Sequence, residues 1–392
     1  MKLKFPCKVF FKTIFSFFIN LILFIMKKTI VFAALAATVL ASCAKNEVFQ
    51  KETAQNQVTF GVYAGNVPSK TTAITTENLS TFGVYSSYTT ADWTTSDKMN
   101  FMYDQSVSGS HAAGFTYTPV KYWPNETTDK LSFWAYAPYR TNTNGIALES
   151  ANDAAGYPTI SYTLPSDANQ VDLLWATPVM NQVNNSAYTA GTADPTAGAA
   201  TTTNKVTFVF HHALAMLDVQ ARYLVDLVNA GGTTGAAVHS ATTVKINSIS
   251  LDGSFPASGV LNLNDGTWSS QGAATATNFT RTFSPAKTVT NANASIIDVN
   301  EQMMVIPKAS GATTITVTVD YDVTTTDDKL DGGSVTVNNV LTSTGDLTIT
   351  GGNKYKLILV LGLTSVKFDV EVEAWPAFAG ETEVDLPLNL AD

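Results

Sequence analysis

Between Thr314 and Val323 every second residue is apolar. Ile315, Val317, Val319, Tyr321 and Val323 alternate with Thr314, Thr316, Thr318, Asp320 and Asp322. A period of two sends successive side chains to opposite faces, so this set can be buried only by a strand with one dry face and one wet face. Val366, Phe368, Val370 and Val372 alternate in the same way with Lys367, Asp369, Glu371 and Glu373. Tyr355 to Leu361 is apolar on both faces and reads as a central strand. Turn signals separate such runs at Asp252-Gly253, Asp265-Gly266, Asp331-Gly332-Gly333 and Gly351-Gly352-Asn353. Threonine and the other β-branched residues suit a pleated, half-buried surface, and no helical period runs beyond two turns. The chain is expected to be all-β, most simply two sandwiches.

Residues 181–205 are rich in Asn, Thr, Ala and Gly and nearly devoid of large apolar side chains. Such a stretch buries too little surface to offset its ordering entropy, so it reads as a linker holding the domain boundary. Apolar strands resume at Val206. The reading gives one β-sandwich over 57–200, a second over 201–380 and a terminal strand within 381–392.

The other end carries an export signal. Met26-Lys27-Lys28 precedes the apolar run Thr29 to Val39 and then Leu40-Ala41-Ser42-Cys43. A basic end, a short apolar core and small residues before the cut make a secretory signal peptide. Cysteine after Leu-Ala-Ser is the pattern of a lipobox, which makes Cys43 the lipidation site and the mature N-terminus. Residues 1–42 are therefore signal region, with translation expected to start at Met26. The upstream stretch Val9 to Ile25 is about the ~20 residues a membrane helix needs, but a second signal there would be redundant. Residues 44–56 are polar and would tether the body to the lipid. No later segment is long and apolar enough to span a bilayer.

Processing at Cys43 removes six lysines and no acid, taking Lys+Arg from 23 to 17 against 32 Asp+Glu and the formal charge from -9 to -15. An acidic body speaks against nucleic acid and anionic membrane surfaces as partners. Cys7 and Cys43 are the only cysteines, so no disulfide framework exists and burial must hold the fold together.

Catalytic signatures are missing. No Gly-x-Ser-x-Gly elbow, His-Glu-x-x-His or phosphate loop occurs, and no cofactor motif is present. His211 and His212 follow a strand and open Ala213 to Met216, which could make one helical turn; no third ligand is spaced to complete a metal site. A strand-end packing role is expected for them. A glycosidase pair of carboxylates is set by folding rather than spacing, and nothing marks one. The expectation is no catalytic residue, no metal and no enzyme. Tyr117, Tyr122, Trp123, Phe133, Trp134, Tyr136 and Tyr139 form an aromatic run. It reads as core, with a sugar-stacking platform as the alternative; that alternative corresponds to a monomeric glycan-binding surface lipoprotein.

The two ends of the mature chain share a pattern. Val58, Phe60, Val62 and Ala64 alternate near the start, followed by a polar segment from Gly65 to Asn78. Val384, Leu386, Leu388 and Leu390 alternate at the finish, with Pro387 requiring an edge position because it has no N–H to donate. Were the first strand cut away, the open apolar groove could be filled by the tail of another copy.

Lys121-Tyr122-Trp123-Pro124, Phe133-Trp134-Ala135-Tyr136-Ala137-Pro138 and Asp172-Leu173-Leu174-Trp175-Ala176 appear in that order. Phe210-His211-His212-Ala213-Leu214-Ala215, Val305-Ile306-Pro307 and Gly352-Asn353-Lys354-Tyr355 follow. Behind a lipobox, this succession resembles the fimbrillin family, the lipoprotein-derived type V pilins of Gram-negative anaerobes, over most of residues 57–376. The resemblance implies two transthyretin-like β-sandwich domains in tandem, in an outer-membrane lipoprotein exposed at the cell surface as part of a fimbrium. It implies other fimbrial subunits as partners, outer-membrane lipid through Cys43, and a host or bacterial surface ligand, with adhesion as the role. In polymerising members a trypsin-like protease removes the first strand and a neighbour's C-terminal strand replaces it. On this chain that makes Val58, Phe60 and Val62 the displaced strand and Val384, Leu386, Leu388 and Leu390 the donor. Lys70, the one basic residue between 65 and 78, becomes the processing site.

Overall fold

Alternation along the chain resolves into strands. The computed structural model describes residues 57–64, 73–126, 128–166, 170–184, 205–223, 242–272, 279–298, 302–325, 335–362, 366–374 and 386–388. Among these residues there is no helix, and the chain is all-β. In chain order the first half holds β1 (Thr59–Tyr63), β2 (Thr81–Thr89), β3 (Met102–Ser110), β4 (Gly114–Thr116), β5 (Lys130–Ala137), β6 (Ile146–Leu148), β7 (Thr159–Thr163), β8 (Leu174–Ala176) and β9 (Val179–Val183). Then come β10 (Lys205–His212), β11 (Ala215–Tyr223), β12 (Thr242–Gly253), β13 (Ser258–Asn262), β14 (Trp268–Ser269), β15 (Phe279–Val289) and β16 (Ala294–Ser295). The last six are β17 (Met303–Val305), β18 (Thr313–Thr325), β19 (Val335–Leu347), β20 (Asn353–Leu361), β21 (Val366–Ala374) and β22 (Leu386–Leu388).

Four sheets result. The largest runs β1-β10-β8-β5-β2-β3-β4, with β9 also on β5, and the second runs β16-β11-β20-β21-β22, with β17 on β11. The others are β15-β12-β18-β19 and β14-β13-β7-β6. β20 lies between β11 and β21, as its two apolar faces require. β10, which follows the polar 181–205 stretch, is the second strand of the first sheet. The β14-β13-β7-β6 sheet likewise joins strands from both halves of the chain.

The alternation of β18 has the expected consequence. Ile315, Val317, Val319 and Tyr321 are fully buried in a core shared with Leu217, Val219, Ile246, Leu251, Leu357 and Leu359. On the opposite face threonines pair across strands, Thr316 with Thr344 at 3.1 Å and Thr318 with Thr342 at 3.0 Å. Cross-strand Thr pairs satisfy their hydroxyls on a wet face, which is one physical use for so much threonine.

Two local expectations differ from what is found. Ala213 to Met216 makes no helical turn: β10 ends at His212 and β11 begins at Ala215. Leu214 and Met216 enter one core while Ala215 and Leu217 enter another, so both faces are buried and the period is two. Asp252-Gly253 closes β12 in register with Thr316 and Ile315 instead of turning. Gly352 does sit in a turn, at a φ of 74° that glycine adopts without a steric cost.

Candidate functional site

One face of the first sheet carries an aromatic core, and its terminal strand is built into that core. Val58, Phe60, Val62 and Ala64 are all buried in one cluster with Phe82, Tyr117, Phe133 and Phe208. The Phe60 ring stacks on Phe208 at 5.7 Å, meets Tyr117 at 5.3 Å and packs edge-on against Phe82 at 6.0 Å. Yet among the described residues β1 has a strand neighbour on one side only, with a single isolated bridge, Gln57 to Tyr122, just before it. It pairs parallel with β10, Thr59 opposite Lys205 through Tyr63 opposite Val209. Parallel pairs are slightly weaker per residue than antiparallel ones. The strand is therefore held by its side chains as well as by its ladder.

Side-chain hydroxyls fasten both of its ends. Tyr117 Oη donates to the Val58 carbonyl at 2.8 Å, and Val58 N–H donates to the Lys121 carbonyl at 3.0 Å. At the other end the Thr76 hydroxyl accepts from Ala64 N–H at 2.8 Å and donates to the Ala64 carbonyl at 3.1 Å. Burial pushes the Tyr117 hydroxyl up to about 12, so it remains a donor across the physiological range.

The chain beyond residues 65–72 is pinned separately. Asp172 Oδ2 accepts from Ile74 N–H at 2.9 Å and lies 2.8 Å from His212 Nδ1. The Asp172 and His212 side chains are 0% and 3% exposed. Asn78 ties the following turn by accepting from Thr75 N–H and donating to the Ala73 carbonyl. A buried hydrogen bond of this kind is costly to break, because removing one partner leaves the other unsatisfied in a dry interior. His212 thus packs at a strand end as its sequence context suggested, and His211 does so too, with Nε2 2.8 Å from Thr177 Oγ1.

The remaining sequence candidates fall as follows. Cys43, Lys70, Val384 and Leu390 lie outside the described residues. Leu386 and Leu388 belong to β22, which is the outermost strand of its sheet and pairs antiparallel with β21, Pro387 opposite Glu371. In the aromatic run, Phe133, Trp134 and Tyr136 are fully buried, Trp123 and Tyr117 nearly so, and Tyr122 is the exposed member at 42%. Tyr139 is half-buried, so five of the seven belong to the core. Sequence reasoning missed Thr76 and Tyr117 as strand clamps. A lone threonine in a polar segment carries no signal of its partner, and only the fold brings Tyr117 to Val58.

Residues 69–375 match the model of the family described as fimbrillin-like. The chain belongs to the fimbrillin-like family. A fimbrial protein from Bacteroides vulgatus superposes with a TM-score of 0.61 at 20% identity, covering 82% of this chain and 100% of that one. A fimbrial assembly protein from Parabacteroides distasonis is similar at a TM-score of 0.35 and 10% identity, covering 81% and 95%. At such identities the Bacteroides vulgatus superposition speaks to the fold alone. No curated protein matches the chain.

Proposed function

We propose that this fimbrillin-like chain is a structural, adhesive subunit of cell-surface fimbriae that polymerises by strand replacement. The observation that supports this reading is β1 with its flanks: a terminal edge strand, paired among the described residues with β10 alone, in a segment whose four apolar side chains Val58, Phe60, Val62 and Ala64 occupy the core. Its removal would leave a groove of the same length and pattern as the C-terminal tail Val384 to Leu390. Export proceeds through the signal before Cys43, which takes the lipid and holds the precursor in the outer membrane. Cleavage at Lys70 then frees β1, while Asp172 keeps the new first segment fixed at Ile74. The tail of the next subunit leaves the edge of its own β21 and fills the groove. No catalytic residue or cofactor enters this account, and the partners are other copies or other fimbrial subunits.

Mass spectrometry of the mature N-terminus, on protein sheared from cells and on protein left in the outer membrane, tests it. A sheared form starting at Thr71 is expected beside a membrane form starting at lipidated Cys43. If sheared and assembled protein also begins at Cys43, strand removal is not how this subunit polymerises.

A further inference from the structure

Residues along a strand turn their N–H and C=O groups to opposite edges in alternation. On β10 the Val209 carbonyl accepts from Thr177 N–H on the β8 side at 2.9 Å, so Val206 and Phe208 turn theirs toward β1. At the two ends of β1 the backbone groups of Val58 and Ala64 go the other way, to Lys121 and Thr76. Phe60 and Val62 share that direction by alternation, which leaves Thr59, Gly61 and Tyr63 facing β10. In this slot, then, a strand running as β1 does has its core-facing residues turned off the ladder and its outward-facing residues bonded to β10.

That rule conflicts with Pro387. The proline lies between Leu386 and Leu388, so putting the apolar residues in the core makes it outward-facing. Entering parallel to β10, it would stand in the place of Gly61 and owe β10 an N–H it does not have. The fully buried Val206 would lose a partner for its carbonyl. Reversing the strand keeps the same side chains inward and exchanges its two edges. Leu386 and Leu388 then bond to β10, and Pro387 turns to the open edge. We infer that the tail of a neighbouring copy enters the β1 slot antiparallel to β10, opposite in direction to the strand it replaces. This rests on the strand-replacement reading above and gives it a direction.

Two further observations agree. The segment already pairs antiparallel where it is described, with Leu386 and Leu388 opposite Val372 and Val370. The reversed register also places Val384, the smallest of the four apolar residues, in the position of Ala64, which is fully buried. Against it, the parallel register would set Asp385 beside Lys205. Lys205 is exposed, and a solvent-screened pair does not outweigh a lost bond to a buried carbonyl.

Cysteine cross-linking in assembled fimbriae separates the directions. In the antiparallel register Asn389 stands beside Lys205 as a non-hydrogen-bonded pair, with Cα atoms about 4.5 Å apart and within disulfide reach. In the parallel register Asp385 takes that place. Cells co-express full-length Lys205→Cys with either Asn389→Cys or Asp385→Cys, and sheared polymer is analysed by non-reducing gels and peptide mapping. A reductant-sensitive link between residue 205 of one copy and residue 389 of another is the expected result. A 205–385 link overturns the direction and leaves strand replacement standing. Polymer in which neither pair links overturns the tail as the occupant of the slot. Polymer that persists after deletion of 381–392 overturns the reading on which this rests.

Discussion

The Thr76 hydroxyl holds both backbone groups of Ala64, accepting from its N–H at 2.8 Å and donating to its carbonyl at 3.1 Å. One side chain thus does at the end of β1 what a neighbouring strand would otherwise do. Thr76→Val keeps the shape and removes the hydroxyl, leaving buried backbone groups unmet at a cost of about 1–3 kcal/mol. Amide exchange of residues 59–64 should quicken while amides of β18 keep their protection. Unchanged exchange in β1 would mean that Thr76 does not clamp the strand.

Phe60 is the side chain with most to lose. It touches Phe82, Tyr117, Phe133 and Phe208 around a packed aromatic centre. Phe60→Ala should destabilise the unprocessed chain by about 3–5 kcal/mol through the cavity it opens. Denaturant titration of the uncleaved protein measures this directly. A loss well under that range would show that β1 contributes little to the core.

Much of this was legible in the sequence, and the illegible part has a physical cause. The alternation of β18 and the apolar faces of β20 identify strands because side-chain period is local. The edge position of β22 follows from Pro387 alone. By contrast, β10 pairs with β1 across more than a third of the chain, and the polar stretch before it gives no hint of which sheet it joins. The Asp172–His212 pair hides for the same reason. Each residue sits in an unremarkable local context, and only the approach of β10 to β8 brings them together. The aromatic run shows the limit from the other side, since its alternation favours a core while its composition also suits a platform, and only burial separates the two.

Asp172 links two elements, so its loss should be felt by both. Asp172→Ala leaves His212 Nδ1 and the Ile74 N–H without their partner, with an expected cost of about 1–3 kcal/mol for each buried group left unmet. The double variant with His212→Ala should cost less than the two singles added together, because either change alone already breaks the shared pair. A double-mutant cycle by thermal or urea unfolding checks this, and strict additivity would count against the pair as a unit.

Alkali should weaken the fold through the buried tyrosines. Burial raises Tyr117 to about 12 from its ordinary 10, and burial raises Tyr85, Tyr136 and Tyr162 as well. For each, the neutral phenol is the form the folded state favours. Above pH 10 the unfolded chain therefore releases protons that the folded chain keeps, and stability falls with rising pH. The Tyr117 contribution is complete below pH 10 and is lost as pH climbs through 12. Melting temperatures from pH 8 to 12 should hold level at first and then drop steeply. Tyr117→Phe should start lower, since the Val58 carbonyl loses its donor, and should decline less steeply above pH 10. Equal slopes for the two proteins would remove Tyr117 from the account.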